Sequence, residues 1–114
     1  MDYSVEFAAD AERDFEIILE FLAESYIAFG DRPAEAIDRA RARVQAVRTE
    51  IEALGRSPHR GTGHDDLFEG LRHVTLGRAI VWFDIDKERR AVRVLAVFYG
   101  GEDHIRRMLR RLGG

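Results

Sequence analysis

Two long runs with helical apolar spacing lie back to back, separated only by Gly30-Asp31-Arg32-Pro33. Ala11, Phe15, Ile18, Leu22, Tyr26 and Phe29 recur at steps of three and four, lining one face of a helix that starts near Asp10. Ile37, Ala40, Val44, Val47, Ile51 and Leu54 repeat the pattern as a narrow, coiled-coil-like seam, with Arg39, Arg41, Arg43 and Arg48 mostly on the other faces. So short a connection forces the two helices to run antiparallel, so this is an αα-hairpin. Asp10 is the expected N-cap of the first helix and Gly30 its stop; Asp31 and Pro33 suit the start of the second, and Gly55 its end. Each fully buried Ile or Leu on the stripes contributes roughly 1.5–3 kcal/mol. The hairpin therefore needs a partner surface, and the rest of the chain supplies one.

Before the hairpin, Tyr3, Val5 and Phe7 alternate with Ser4 and Glu6, a short strand. After it, Arg56 to Asp66 is a polar loop punctuated by Ser57-Pro58 and Gly61-Thr62-Gly63. Three strand-like runs follow, Gly70–Leu76, Arg78–Ile85 and Ala91–Tyr99, joined by turns at Gly77-Arg78 and Asp86-Lys87-Glu88-Arg89. The third run is apolar nearly throughout, as a central strand requires. Glu102 to Leu112 is a short, very basic amphipathic tail in which Ile105, Met108, Leu109 and Leu112 share a helical face. The expectation is one α+β domain over residues 1–114, with the antiparallel three-stranded meander packed on the hairpin.

Charge and cysteine content narrow the function. With 18 basic and 21 acidic side chains the net charge is −3, so the chain as a whole does not attract nucleic acid, and no sequence-specific nucleic-acid binding is expected of it. Lys87 is the single lysine; the other positive side chains are arginines. No cysteine is present, which removes disulfides, thiol nucleophiles and thiolate metal ligands. The first residues lack the basic start and apolar run of a signal peptide, and no apolar run is long enough for a membrane helix, so a cytoplasmic location without membrane contact is expected.

Several side chains could carry chemistry. His59 and His64, with Asp65 and Asp66, lie in the loop without a third fixed ligand, so a solvated loop is expected rather than a metal site, and no cofactor is implied. His73 and His104 titrate in the right range for general acid–base work, but the linear sequence pairs neither with a partner. Parity places Arg72 on the same face as Val74 and Leu76. It either snorkels or pairs structurally at the sheet edge, or offers its guanidinium to an acid or phosphate. Arg106, Arg107, Arg110 and Arg111 make the one concentrated positive patch, fit for an acidic partner or equally a solvated helix face. Trp82 has opposite parity to Val81, Phe83 and Ile85, which leaves it facing either a binding groove or a core. No phosphate-cradling loop, nucleophile elbow or paired-carboxylate motif occurs.

Read in order, the motifs resemble the ParE/RelE toxins of type II toxin–antitoxin systems, and their ParE branch in particular. The resemblance rests on Tyr3-Ser4-Val5-Glu6-Phe7 with Ala8-Ala9-Asp10-Ala11, and on the Leu54…Pro58…Gly61 link out of the hairpin. It continues through Gly70-Leu71-Arg72, Val81-Trp82-Phe83-Asp84-Ile85-Asp86 and the end Val94 to Asp103. It implies a toxin neutralised by a ParD-like antitoxin that lies across hairpin and sheet, with Phe21, Trp82 and Phe98 as candidate contacts. It also implies DNA gyrase as the target, inhibited without catalysis, with Arg72, Tyr99 and the tail arginines as candidate target contacts. Tyr99 stands where many ParE sequences carry histidine. Ribosome-dependent mRNA cleavage of the RelE type and a non-toxic binding module are the alternatives.

Overall fold

The computed structural model describes residues 2–100 and 103–113. The elements are β1 (Ser4–Phe7), α1 (Ala9–Ala28), α2 (Pro33–Glu52), a 3₁₀ turn (Ala53–Arg56), β2 (Thr62–Gly63), β3 (Arg72–Leu76), β4 (Ala79–Asp86), β5 (Ala91–Tyr99) and α3 (His104–Gly113). They form one five-stranded sheet in the order β1-β5-β4-β3-β2. The expected meander β3-β4-β5 is antiparallel throughout. The sheet is wider than the expected meander because β1 adds parallel to β5 and β2 adds antiparallel to β3. Two strand residues were too short a run to distinguish from the polar loop around them. The turn Gly100 to Asp103, part of the resemblance, includes Gly101 and Glu102, which lie outside the described residues.

The hairpin covers one sheet face. Ala11, Phe15, Ile18 and Leu22 of α1 and Ala40, Val47 and Ile51 of α2 pack on Val74, Leu76, Val81, Phe83, Val92, Val94 and Val97. In β5 the step from Val94 to Val97 breaks strict alternation. Trp82 pairs with Ala96 but Phe83 with Val94, so Leu95 is an extra residue, a bulge that shifts parity midway along the strand. Two ends of the apolar stripes fall outside the core: Phe29 is 91% exposed and Ile37 39%, because the hairpin tip overhangs the sheet.

The caps differ in detail from expectation. Asp10 is not the N-cap; that position falls two residues earlier, at Ala8, and Asp10 with Glu12 places negative charge in the first turn, where the helix dipole favours it. Pro33 is the first residue of α2, as expected. Gly55 does not end that helix by adopting a left-handed conformation. It lies in the 3₁₀ turn, where its amide plane receives β1: Tyr3 N–H donates to Gly55 O at 2.8 Å, and a Cβ there would stand 2.3 Å from Tyr3 O. Only glycine lets the first strand approach so closely.

The basic tail is a helix, α3, and it closes the other face of the sheet. Met108 is fully buried with Leu71, Ile80, Trp82, Ala96 and Phe98. Of the predicted apolar stripe only Met108 is covered; Ile105, Leu109 and Leu112 are 46%, 44% and 41% exposed. The helix is rotated so that its arginines, not its leucines, meet α1.

Candidate functional site

Side chains with chemistry collect on the face beneath α3. The tight turn at Gly77-Arg78 sets His73 of β3 directly opposite Trp82 of β4. His64 follows β2, and His104 opens α3. The rings pack closely: His64 lies 4.8 Å and His73 4.9 Å from the Trp82 ring by centroids, and His73 lies 4.8 Å from His104. His64 Nε2 and His73 Nδ1 are 2.7 Å apart, a hydrogen bond that holds one proton between two imidazoles. The Trp82 indole N–H donates to His104 Nδ1 at 3.2 Å. Since that nitrogen accepts, neutral His104 carries its hydrogen on Nε2. Burial first, then the charges of His104 and His64, hold His73 below the usual imidazole range. His104 is lowered for the same reasons, burial before His64. Both shifts favour neutral His73 and His104 near neutral pH.

The linear sequence does not show this cluster: it places His64 in a polar loop and gives His73 and His104 no partner. Half of it was legible, because a two-residue turn at Gly77-Arg78 fixes the His73–Trp82 register. The other half joins positions far apart in the chain. Among the described residues no group of three or more histidine, cysteine, aspartate or glutamate side chains is arranged to hold a metal ion.

The arginines singled out above do not converge. Arg72 is a clamp on its own chain: Nε donates to Arg60 O at 3.0 Å, and Nη2 donates to His59 O at 2.7 Å and Gly61 O at 3.0 Å. It fixes the Arg56–Gly61 connection onto β3, and Gly61 with φ +81° supplies the left-handed turn the clamp needs. Arg72, expected as a target contact, is engaged with its own chain through Nε and Nη2, while Nη1 has no hydrogen-bond partner among the described residues.

Arg111 is likewise structural. Its Nη1 and Nη2 fork onto the Asp14 carboxylate at 2.7 and 3.0 Å. Asp14 is only 4% exposed and also accepts from Val97 N–H at 2.9 Å, so one carboxylate joins α1, β5 and α3. Arg107 lies over the Phe98 ring at 4.3 Å, a cation–π contact that holds the same edge of α3. Arg106 and Arg110 are exposed, and no side-chain hydrogen bond, ion pair or cation–π contact engages either among the described residues.

Trp82 and Phe98, taken above as antitoxin contacts, are 0% and 2% exposed. Neither ring is open to a partner in this conformation, where Met108 of α3 packs in the same cluster as both and the histidines pack on Trp82. Phe21 is 54% exposed and leans on Tyr99, with ring centroids 6.5 Å apart. The two border a groove of about 230 Å³ between α1 and β5, floored by Val97 and closed by Arg107 and Arg111. A wider cavity of about 590 Å³ at the far end of the sheet holds Lys87, Asp86 and the buried Asp84. Asp84 is already forked by Arg93 at 2.8 and 2.5 Å.

No protein-family model matches the chain, and no curated protein sequence matches it significantly. Its architecture, however, is that of known structures. A chain of the chromosomal ParDE system from P. aeruginosa superposes with a TM-score of 0.62 at 17% identity, covering 87% of this chain and 97% of that one. The RelBE2 toxin–antitoxin complex from Mycobacterium tuberculosis gives 0.54 at 20% identity, with coverages of 87% and 92%. A mutant of the E. coli toxin RelE in the free state gives 0.61 at 10% identity, with coverages of 97% and 98%. The chain has the ParE/RelE toxin fold across nearly its whole length.

Proposed function

We propose that this chain, built on the ParE/RelE fold, is the toxin of a type II toxin–antitoxin pair that inhibits DNA gyrase by binding rather than by catalysis. The observation that carries the choice is the internal use of its cations. Among the described residues Arg72 is held by three carbonyls, Arg111 by Asp14 and Arg107 by Phe98, so these three guanidiniums are tied to their own chain rather than gathered for a phosphodiester. What α3 offers outward is a binding edge: Arg106 and Arg110 one turn apart, suited to an acidic surface. The antitoxin footprint moves to the exposed groove beside Phe21 and Tyr99, where an apolar anchor would sit beside arginines.

The test is a supercoiling assay with purified gyrase, repeated with the antitoxin added back. The wild-type chain inhibits, the double variant Arg106→Glu/Arg110→Glu inhibits much less, and both keep the same melting temperature. Unimpaired supercoiling at large molar excess of folded protein would overturn the gyrase reading. The observation favouring a second reading, a ribosome-dependent mRNA endonuclease, is the histidine trio under α3. Codon-positioned cuts in a translating extract that vanish with His73→Asn would favour it instead.

A further inference from the structure

The three histidines beneath α3 sit in a geometry that accepts at most one positive charge without opposing two N–H groups. An imidazolium carries hydrogen on both nitrogens. His64 Nε2 and His73 Nδ1, 2.7 Å apart, have room for a single hydrogen between them. His104 Nδ1 already receives the Trp82 indole N–H. Protonating that nitrogen turns an acceptor into a donor and sets two N–H groups against each other. Protonating both His64 and His73 does the same, and also sets like charges in stacked rings 4.9 Å apart by centroids.

The groups facing this cluster are known from each side. Trp82 faces it from β4, His73 from β3, His64 from the segment after β2 and His104 from α3. Among the described residues no carboxylate hydrogen-bonds or ion-pairs with any of the three imidazoles to offset added charge. The nearby α3 arginines turn the other way, Arg107 to Phe98 and Arg111 to Phe98 and Asp14. The far end of α3 is thereby anchored by a cation that stays charged, while the near end is held by groups that do not.

We propose that His64, His73 and His104 form an acid-released latch, which holds the N-terminal end of α3 over Trp82 while neutral and lets it lift when protonated. Lifting that end would uncover Trp82 and Phe98, the apolar face that α3 otherwise hides. Both His73 and His104 are shifted below the ordinary imidazole value in the folded chain, in keeping with that geometry. With α3 docked they bind protons less readily than when it is lifted or the chain is unfolded. The docked state is therefore fully favoured above the ordinary value of about 6.5 and loses ground as pH falls through the lowered ones.

Trp82 is the only tryptophan, so its fluorescence reports on the latch directly. The emission maximum and acrylamide quenching of the full chain are followed from about pH 7.5 to about pH 5, across the range in which imidazole titrates, with far-UV circular dichroism alongside. The latch gives a red shift and stronger quenching on acidification, while the dichroism holds. His104→Gln, whose amide oxygen can accept from the indole without titrating, loses most of that shift. An undiminished shift in His104→Gln overturns the latch, as does loss of dichroism over the same range, which signals general unfolding. Should His104→Gln not fold, proton NMR titration of the wild-type imidazoles decides. His73 and His104 titrating below the ordinary value together with a shift of the Trp82 indole proton support the latch, and titration at or above that value overturns it.

Discussion

At the scale of single residues, the chain's stability depends most unusually on Asp14. It is an acid in the middle of a helix, among apolar neighbours Phe15 and Ile18, and almost fully buried. Burial of a lone carboxylate is costly, but here it meets the Arg111 fork and the Val97 N–H, which leaves no lone charge. Removing one member of such a pair is worse than never having had it, because the partner stays behind. Asp14→Ala is expected to destabilise by about 2–4 kcal/mol, toward the lower end because Arg111 can reach water. Urea denaturation checks this. Asp14→Ala combined with Arg111→Met should cost less than the sum of the single changes, since nothing charged is then orphaned. Arg72 gives a milder case: Arg72→Ala removes three charge-assisted bonds at a half-exposed site, at about 1–2 kcal/mol, with the loss concentrated in the 56–61 connection. Amide hydrogen exchange there should quicken while α2 is unaffected.

At the scale of elements, α1 and α2 behave as the apolar period dictates, and α3 does not stand alone. Ile51 is fully buried near the C-terminal end of α2. Ile51→Asp therefore places an unpaired carboxylate inside the apolar cluster between hairpin and sheet, at a cost of about several kcal/mol, comparable with the whole stability of a small domain. The expected outcome is loss of cooperative melting by circular dichroism; a soluble, sharply melting variant would mean the seam is not core. For α3, ten residues with a single buried apolar side chain cannot hold a helix in isolation. Its order comes from Met108, from the Arg111–Asp14 fork and from the Trp82–His104 bond. Truncation after Asp103 would remove a binding edge and also strip the cover from Trp82 and Phe98 and orphan Asp14. The truncated chain should show a red-shifted tryptophan emission and a lower melting temperature, so charge reversal at Arg106 and Arg110 is the cleaner probe of target contact.

At the scale of the whole molecule, two apolar clusters lie on opposite faces of one sheet. They are joined through β4 and β5, which contribute to both. Neither face can be lost without exposing the strands shared with the other, so thermal unfolding near neutral pH should be a single transition. Far-UV dichroism, which follows the helices, and Trp82 fluorescence, which follows the second cluster, are expected to give the same midpoint. The fold is longer than a sphere of its mass, 47 × 32 × 21 Å, because the hairpin tip with Phe29 extends past the sheet.

The hairpin, the meander, the turns and the location of the basic patch were all determined by local sequence: period, proline, glycine and strand alternation act over a few residues. The resemblance in motif order likewise followed the chain, and the shared fold agrees with it. The tertiary structure alone decided which face each arginine and histidine met. Arg72 looked available until Gly61 curled back to present carbonyls to it, and Arg111 looked like one of four equivalent cations until Asp14 arrived from 97 positions away. Parity gave the correct side of the sheet for Trp82, but whether that side was groove or core depended on where α3 came to rest. The physical reason is common to all three. Periodicity encodes which side of an element is apolar, whereas charge pairing and ring stacking act over a few ångströms between positions that only the completed packing brings together.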